Sequence, residues 1–217
     1  KDVIASETSI RNRNIDANKI LENSSVKTPV PTAEKVSPSV FDRPAKKRIK
    51  ELDRDEICEI EGDELEELSG IIPAREKGEY WGHNDKGNDS EIFRFNRDGR
   101  ILQKVLMMGI LNDDWEAITR GDDGSLFIGG FGDNDRERFA YHIYQFSEPK
   151  MGMNRCSNIP AYTFLYADNK SHNCEAFFSF NNRLYLITKE RDEEDFPMLF
   201  CIERLDKTRR NIAQYVG

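Results

Sequence analysis

The sequence predicts an all-β, propeller-like fold: about three four-stranded antiparallel blades in an incomplete ring, preceded by a disordered N-terminal segment. Three observations carry this. From about residue 56 onward, short runs rich in Ile, Phe, Tyr and Leu alternate with Gly, Asn and Asp clusters, the texture of short strands joined by turns. No sustained helical period runs through that zone. Strand-like segments also recur in sets of four, with a spacing of roughly 50 to 60 residues, as propeller blades do.

Taken in chain order, residues 1–55 read as a linker or tail and residues 56–217 as a partial propeller domain. The first 50 residues hold no Trp or Tyr, a single Phe at Phe41, and four of the eight prolines. Such a segment buries too little apolar surface to offset its ordering entropy, and at most one short helix fits, over residues 10–21. A basic cluster (Lys46, Lys47, Arg48, Lys50) and an acidic stretch over residues 51–67 follow, read as solvated charge ahead of the folded part.

The repeat begins with three look-alike first strands, at residues 67–71, 116–119 and 175–179. Each opens on a glutamate: Glu67, Glu116 and Glu175. Second strands are expected at 80–83, 126–129 and 184–187, and third strands at 92–95, 143–146 and 199–202. Fourth strands fall near 101–108, 162–166 and 212–216. Arg97-Asp98-Gly99, Asp122-Asp123-Gly124 and Asn181-Asn182 supply hairpin turns. A blade cannot cover both of its faces alone, so its apolar faces stack on neighbours. Propellers close with four to eight blades, so the missing ones belong to a longer parent chain or to another copy. The rival arrangement of the same strands is a β-sandwich.

Composition narrows the function. Thirty-two basic against 40 acidic residues give a net charge of −8, which leaves no cationic excess for nucleic acid. No apolar run reaches the length of a membrane span. Four cysteines contain no C-x-x-C pair, which argues against a zinc ribbon or a thioredoxin-like motif. Cys156 and Cys174 flank a long connection and are candidates for a disulfide or for free thiols; Cys201 sits in an apolar run as a core residue. The chain opens on Lys1, which suggests a processed form or a fragment.

The recurring glutamates need a cause. The first strand of each blade lines a propeller's channel, so Glu67, Glu116 and Glu175 would surround one axis. Converging like charges raise one another's pKa, and a hard cation relieves the repulsion; carboxylate oxygens suit calcium. Asp85, Asp133 and Glu190 follow second strands and complete the expected metal set. Lys189, Arg120 and Arg191 are the cations that would neutralise these acids instead. His83, Asn84 and Asn134 are expected to bind a ligand at the channel rim, His83 doubling as a candidate general base. Trp81 and Trp115 are expected to pack between blades rather than to stack on a ligand.

The stretches Glu67-Leu68-Ser69-Gly70, Asp114-Trp115-Glu116-Ala117-Ile118, Asn173-Cys174-Glu175-Ala176 and Thr188-Lys189-Glu190-Arg191 resemble the blade starts of bacterial exported six-bladed propellers, the SdiA-regulated family being the nearest named group. The runs over residues 83–88 and 128–134 are similar to those of a related group of secreted propellers. The resemblance spans roughly residues 64–217, and Gly130 departs from it where an acid is expected. It implies calcium near the channel and an extracellular or periplasmic location. The expected function is a non-catalytic binding or scaffold domain that docks a protein, glycan or small ligand at the rim. The alternative is a metal-dependent hydrolase, lactonase- or esterase-like, with its site in the channel.

Overall fold

The computed structural model describes residues 58–189 and 196–217. The expected tail, its basic cluster, and Glu190 and Arg191 lie outside the described residues. The described residues hold no helix and are all-β.

A first meander runs β1 (Leu68–Pro73), β2 (Glu79–Asn84), β3 (Glu91–Asn96) and β4 (Ile101–Met107). A second uses β5 (Trp115–Arg120), β6 (Leu126–Gly130), β7 (Tyr141–Phe146) and β9 (Ala161–Tyr166), with the short β8 (Arg155–Cys156) inside the β7–β9 connection. The third comprises β10 (Cys174–Phe180), β11 (Arg183–Thr188), β12 (Leu199–Ile202) and β13 (Asn211–Tyr215). Within each meander, successive strands pair antiparallel. Turn chemistry explains the tight reversals. Gly99 and Gly124 take the positive φ their turns require, and Asn181 and Asn182 both do so in the two-residue β10–β11 hairpin.

The rims differ from the expected separate antiparallel blades. β13 pairs parallel with β9, which fuses the second and third meanders into one eight-stranded mixed sheet. β8 pairs parallel with β4 and extends the first meander to five strands. The physical reason is the edge: an outermost strand carries a row of unpaired N–H and C=O groups, and a neighbour's outer strand satisfies them. The eight-stranded sheet curls until its terminal strands, β5 and β10, lie side by side; β5 also contacts β1 on its other flank.

Alternation along the strands gives every meander two apolar faces. The back of the first meander (Ile72, Trp81, Ile92) packs on the front of the second (Trp115, Ile118, Leu126, Ile128, Tyr144, Phe146). The back of the second (Phe127, Ile143, with Tyr162 and Phe164) packs on the front of the third (Phe177, Leu184, Leu186, Phe200, Ile202). Trp81 and Trp115 are both fully buried in the first of these cores, as expected. The front of the first meander (Phe93, Phe95) is covered by Leu65 and Ile60 from the preceding segment. Cys156 packs in one core and Cys174 in the other, and all four cysteines are free. Cys201 is buried, as a core residue should be.

A buried carboxylate bolts the first two meanders together. Glu148 accepts from the Arg75 backbone N–H (2.9 Å), Trp81 Nε1 (3.0 Å) and Arg120 Nη1 (2.7 Å). Burial opposes its charge, but these donors outweigh burial and hold its carboxyl below the ordinary range. Arg120 is therefore committed here and does not neutralise the first-strand glutamates.

Candidate functional site

The three first strands share one irregularity. The pairing register slips between Leu68 and Gly70, between Trp115 and Ala117, and between Cys174 and Ala176. The bulged residues are Ser69, Glu116 and Glu175. A bulge re-aims one side chain out of the pleat. The backbone repeats around it as well: Asp85 N donates to Glu67 O (3.0 Å), Gly132 N to Asp114 O (3.2 Å) and Lys189 N to Asn173 O (2.8 Å). Glu67 thus corresponds to Asp114 and Asn173, and Ser69 to Glu116 and Glu175.

This shifts one expected ligand. Glu67 stands two residues before the bulge, where its Oε2 accepts from Asn88 Nδ2 at 2.7 Å on the surface. At the bulge, Ser69 Oγ donates to Glu116 O (3.1 Å) and Oε2 (3.2 Å), tying β1 to β5.

Two of the expected metal ligands do converge, and they gain a third. Asp85, Asp114 and Glu116 each offer a carboxylate oxygen, all within 4.8 Å of one another. Asp114 is 2% exposed and Glu116 6%. Gly132 makes the room: a Cβ there would meet Glu116 Oε1 at 2.3 Å and Asp114 Oδ2 at 2.7 Å. Asn112 fixes the frame, donating through Nδ2 to Asp85 O (2.7 Å) while its Oδ1 accepts from Trp115 N (3.0 Å). Asp114 sits at φ 110, a conformation that L residues rarely adopt. Such strain persists where the surroundings over-determine it, as at ligand clamps.

Electrostatics follow from this crowding. Burial, then the charges of Glu175, Asp85 and Asp114, push Glu116 up to about 8. Burial also raises Asp114, while Lys86, with Nζ 3.8 Å from Oδ2, partly offsets it. Glu175 has its own partners: Oε1 accepts from Asn173 Nδ2 (2.8 Å) and Lys189 Nζ (3.2 Å).

The remaining candidates serve structure. The Asp133 carboxylate accepts from the backbone N–H groups of Glu137 (2.9 Å) and Arg138 (3.0 Å) and from the Tyr141 hydroxyl (2.8 Å), closing the β6–β7 loop. Asn134 Oδ1 accepts from Asn173 Nδ2 at 3.3 Å. Asn84 is buried, accepting from Glu67 N (3.1 Å) and donating to Glu64 O (2.8 Å), so it anchors the approach to β1. His83 is fully buried, edge-on to Trp115 with ring centroids 5.7 Å apart, and desolvation drives its pKa down to about 4. Gly70 makes space for that ring, since a Cβ there would lie 2.3 Å from His83 Nε2. A sealed imidazole packed between meanders is placed for packing, not for proton transfer at a rim.

Sequence reasoning missed Asp114. It stands in the stretch Asp114-Trp115-Glu116-Ala117-Ile118, but only the glutamate recurs at the head of all three first strands. Gly130 pairs with Trp115 as Asn84 pairs with Leu68, and a Cβ there would meet Asp113 Oδ1 at 2.4 Å.

Searches against models of protein families and against curated proteins found no match to this chain. Among the described residues, no helix is long and apolar enough to cross a membrane.

Proposed function

We propose that this chain is a non-catalytic, propeller-type binding module, three blades around a shared axis, stiffened by a hard divalent cation held where the first strands meet. Calcium is the best match to the donor set. Asp85, Asp114 and Glu116 would hold it, with Glu175 adjacent; backbone carbonyls and water would complete the six to eight oxygens calcium takes. The observation that carries the reading is the convergence of three carboxylates from two meanders into the recess left open by Gly132. Oxygens on opposite sides of a calcium ion stand roughly 5 Å apart, given bonds of about 2.3–2.6 Å, so the spacing fits one ion. When bound, the cation supplies charge compensation and cross-links β5 to the β2–β3 loop. The chain's own residues supply the rest: Ser69 orients Glu116, Asn112 fixes Asp85, and Lys86 screens Asp114 until displaced. The burial of His83 favours display over hydrolysis, because it removes the candidate base from solvent. A protein, glycan or small ligand would dock on the loops that these rigid strands hold. The resemblance to exported propellers supports the same choice of cation and an extracytoplasmic setting.

The test is titration calorimetry of chelator-treated protein with calcium. One equivalent is expected to bind at pH 7, releasing close to one proton, because Glu116 with a pKa of about 8 is mostly protonated there. Glu116→Gln should weaken binding at least tenfold. No calcium affinity, or unchanged affinity in that variant, would refute the reading.

A further inference from the structure

The three meanders stack in one sense, back on front. Strand pairing gives each face its register. Gly82 opposite Ile71, Ile128 opposite Ile118 and Leu186 opposite Phe177 hold matching positions on the three front faces. On the three back faces, Trp81, Phe127 and Tyr185 match in the same way. Two of these back faces are covered by the next front face. The third is not. There Phe178 is 41% and Phe180 58% exposed, Ile187 is exposed, and Phe178 stacks on Tyr185 with ring centroids 5.1 Å apart and planes 9° off parallel. An apolar, partly aromatic sheet face of this kind is an association surface.

The complementary surface is also in the molecule. The front of the first meander is covered over its outer strands by Leu65 and Ile60, but its innermost strand leaves Leu68 exposed and Ile71 53% exposed. One back face and the inner half of one front face are therefore the only unmatched members of the series among the described residues.

We infer that two copies of this chain close head to tail, the back of each third meander seating the front of the other copy's first meander. The contact continues the back-on-front interface already used twice within the chain. Two copies contribute six meanders, inside the range of four to eight at which propeller rings close. A head-to-tail contact repeated by a closing rotation makes a ring and leaves no free face. The closed ring would wall the carboxylate cluster of both copies on every side.

The inference rests on the propeller-type reading of the meanders and not on the cation, and the experiment separates them. The full chain is measured by sedimentation equilibrium with calcium and with chelator. Twice the 25.2 kDa chain mass is expected in both. Ile71→Asp and Phe178→Asp lie on opposite surfaces and are exposed, so each should keep the parent's circular dichroism. Each spoils both contacts of a two-copy ring and should weaken association at least about a hundredfold, roughly tenfold per contact. Mixing the two variants restores one intact contact, so a heterodimer should return. Ile71→Ser and Phe178→Ser repeat the test should an aspartate variant fail to fold. A parent monomeric at all concentrations overturns the inference. A dimer that survives Ile71→Asp overturns it in favour of back-to-back pairing, and a mass growing beyond two copies overturns closure. A monomer that still binds calcium defeats the ring alone; a dimer that binds none defeats only the cation.

Discussion

Glu116 gives the protein a pH dependence of definite sign. Its pKa is about 8 in the fold and near 4.5 when unfolded. Below about 4.5 both states carry the proton, and stability is unaffected. Between about 4.5 and 8 the unfolded chain gives up its proton while the fold retains it, so stability falls as pH rises. In chelator, the parent should lose roughly 2–4 kcal/mol relative to Glu116→Gln between pH 4.5 and 8, read from urea unfolding at both pH values. Calcium should cancel that loss at pH 8 if the carboxylate is its ligand. Parallel pH profiles for parent and variant would remove Glu116 from the centre of the site. At this scale the sequence was partly legible. Glu116 and Glu175 are legible as the two acids at the first-strand bulges because each opens a look-alike apolar strand. Glu67 was misplaced by two positions because the true counterpart is a serine, and a hydroxyl at a bulge has no distinctive sequence mark. Asp114 escaped because its value lies in a φ of 110, which composition does not encode.

At the level of elements, twelve strands lie where alternation and turn residues put them, since half-buried strands write their periodicity into the chain. β8 was not foreseen. Two residues, Arg155 and Cys156, carry no period at all, and they form a strand only because β4 offers them an open edge. The parallel pairing of β9 with β13 was hidden for the same reason: lateral partners across about 50 residues leave no local pattern. The β10–β11 turn was legible and can be improved. Asn181 and Asn182 take φ of 52° and 58°, and the second position of such a turn favours glycine. Asn182→Gly should stabilise the protein by about 0.5 kcal/mol in chemical denaturation: relief of the left-handed conformation outweighs the entropy glycine adds to the unfolded chain, and the backbone N–H still donates to Asp122 Oδ2. A loss of stability would mean that the Asn182 side chain does work outside the turn.

Across the whole molecule, the strands at the centre and at the rim do different jobs. Centrally, β5 and the β2–β3 loop bring Asp85, Asp114 and Glu116 together, and Ser69 of β1 ties to Glu116. Peripherally, β13 serves two meanders, paired antiparallel with β12 and parallel with β9. The last seven residues therefore act as a zip fastener common to both. Proteolytic or genetic trimming after Arg210 should unlock two hydrogen-bonded seams at once. Hydrogen–deuterium exchange would then quicken in β9 and β12 together, although β9 lies about 45 residues earlier in the chain. Quickening confined to β12 would show that the seam with β9 contributes little, and that the second meander keeps its own margin.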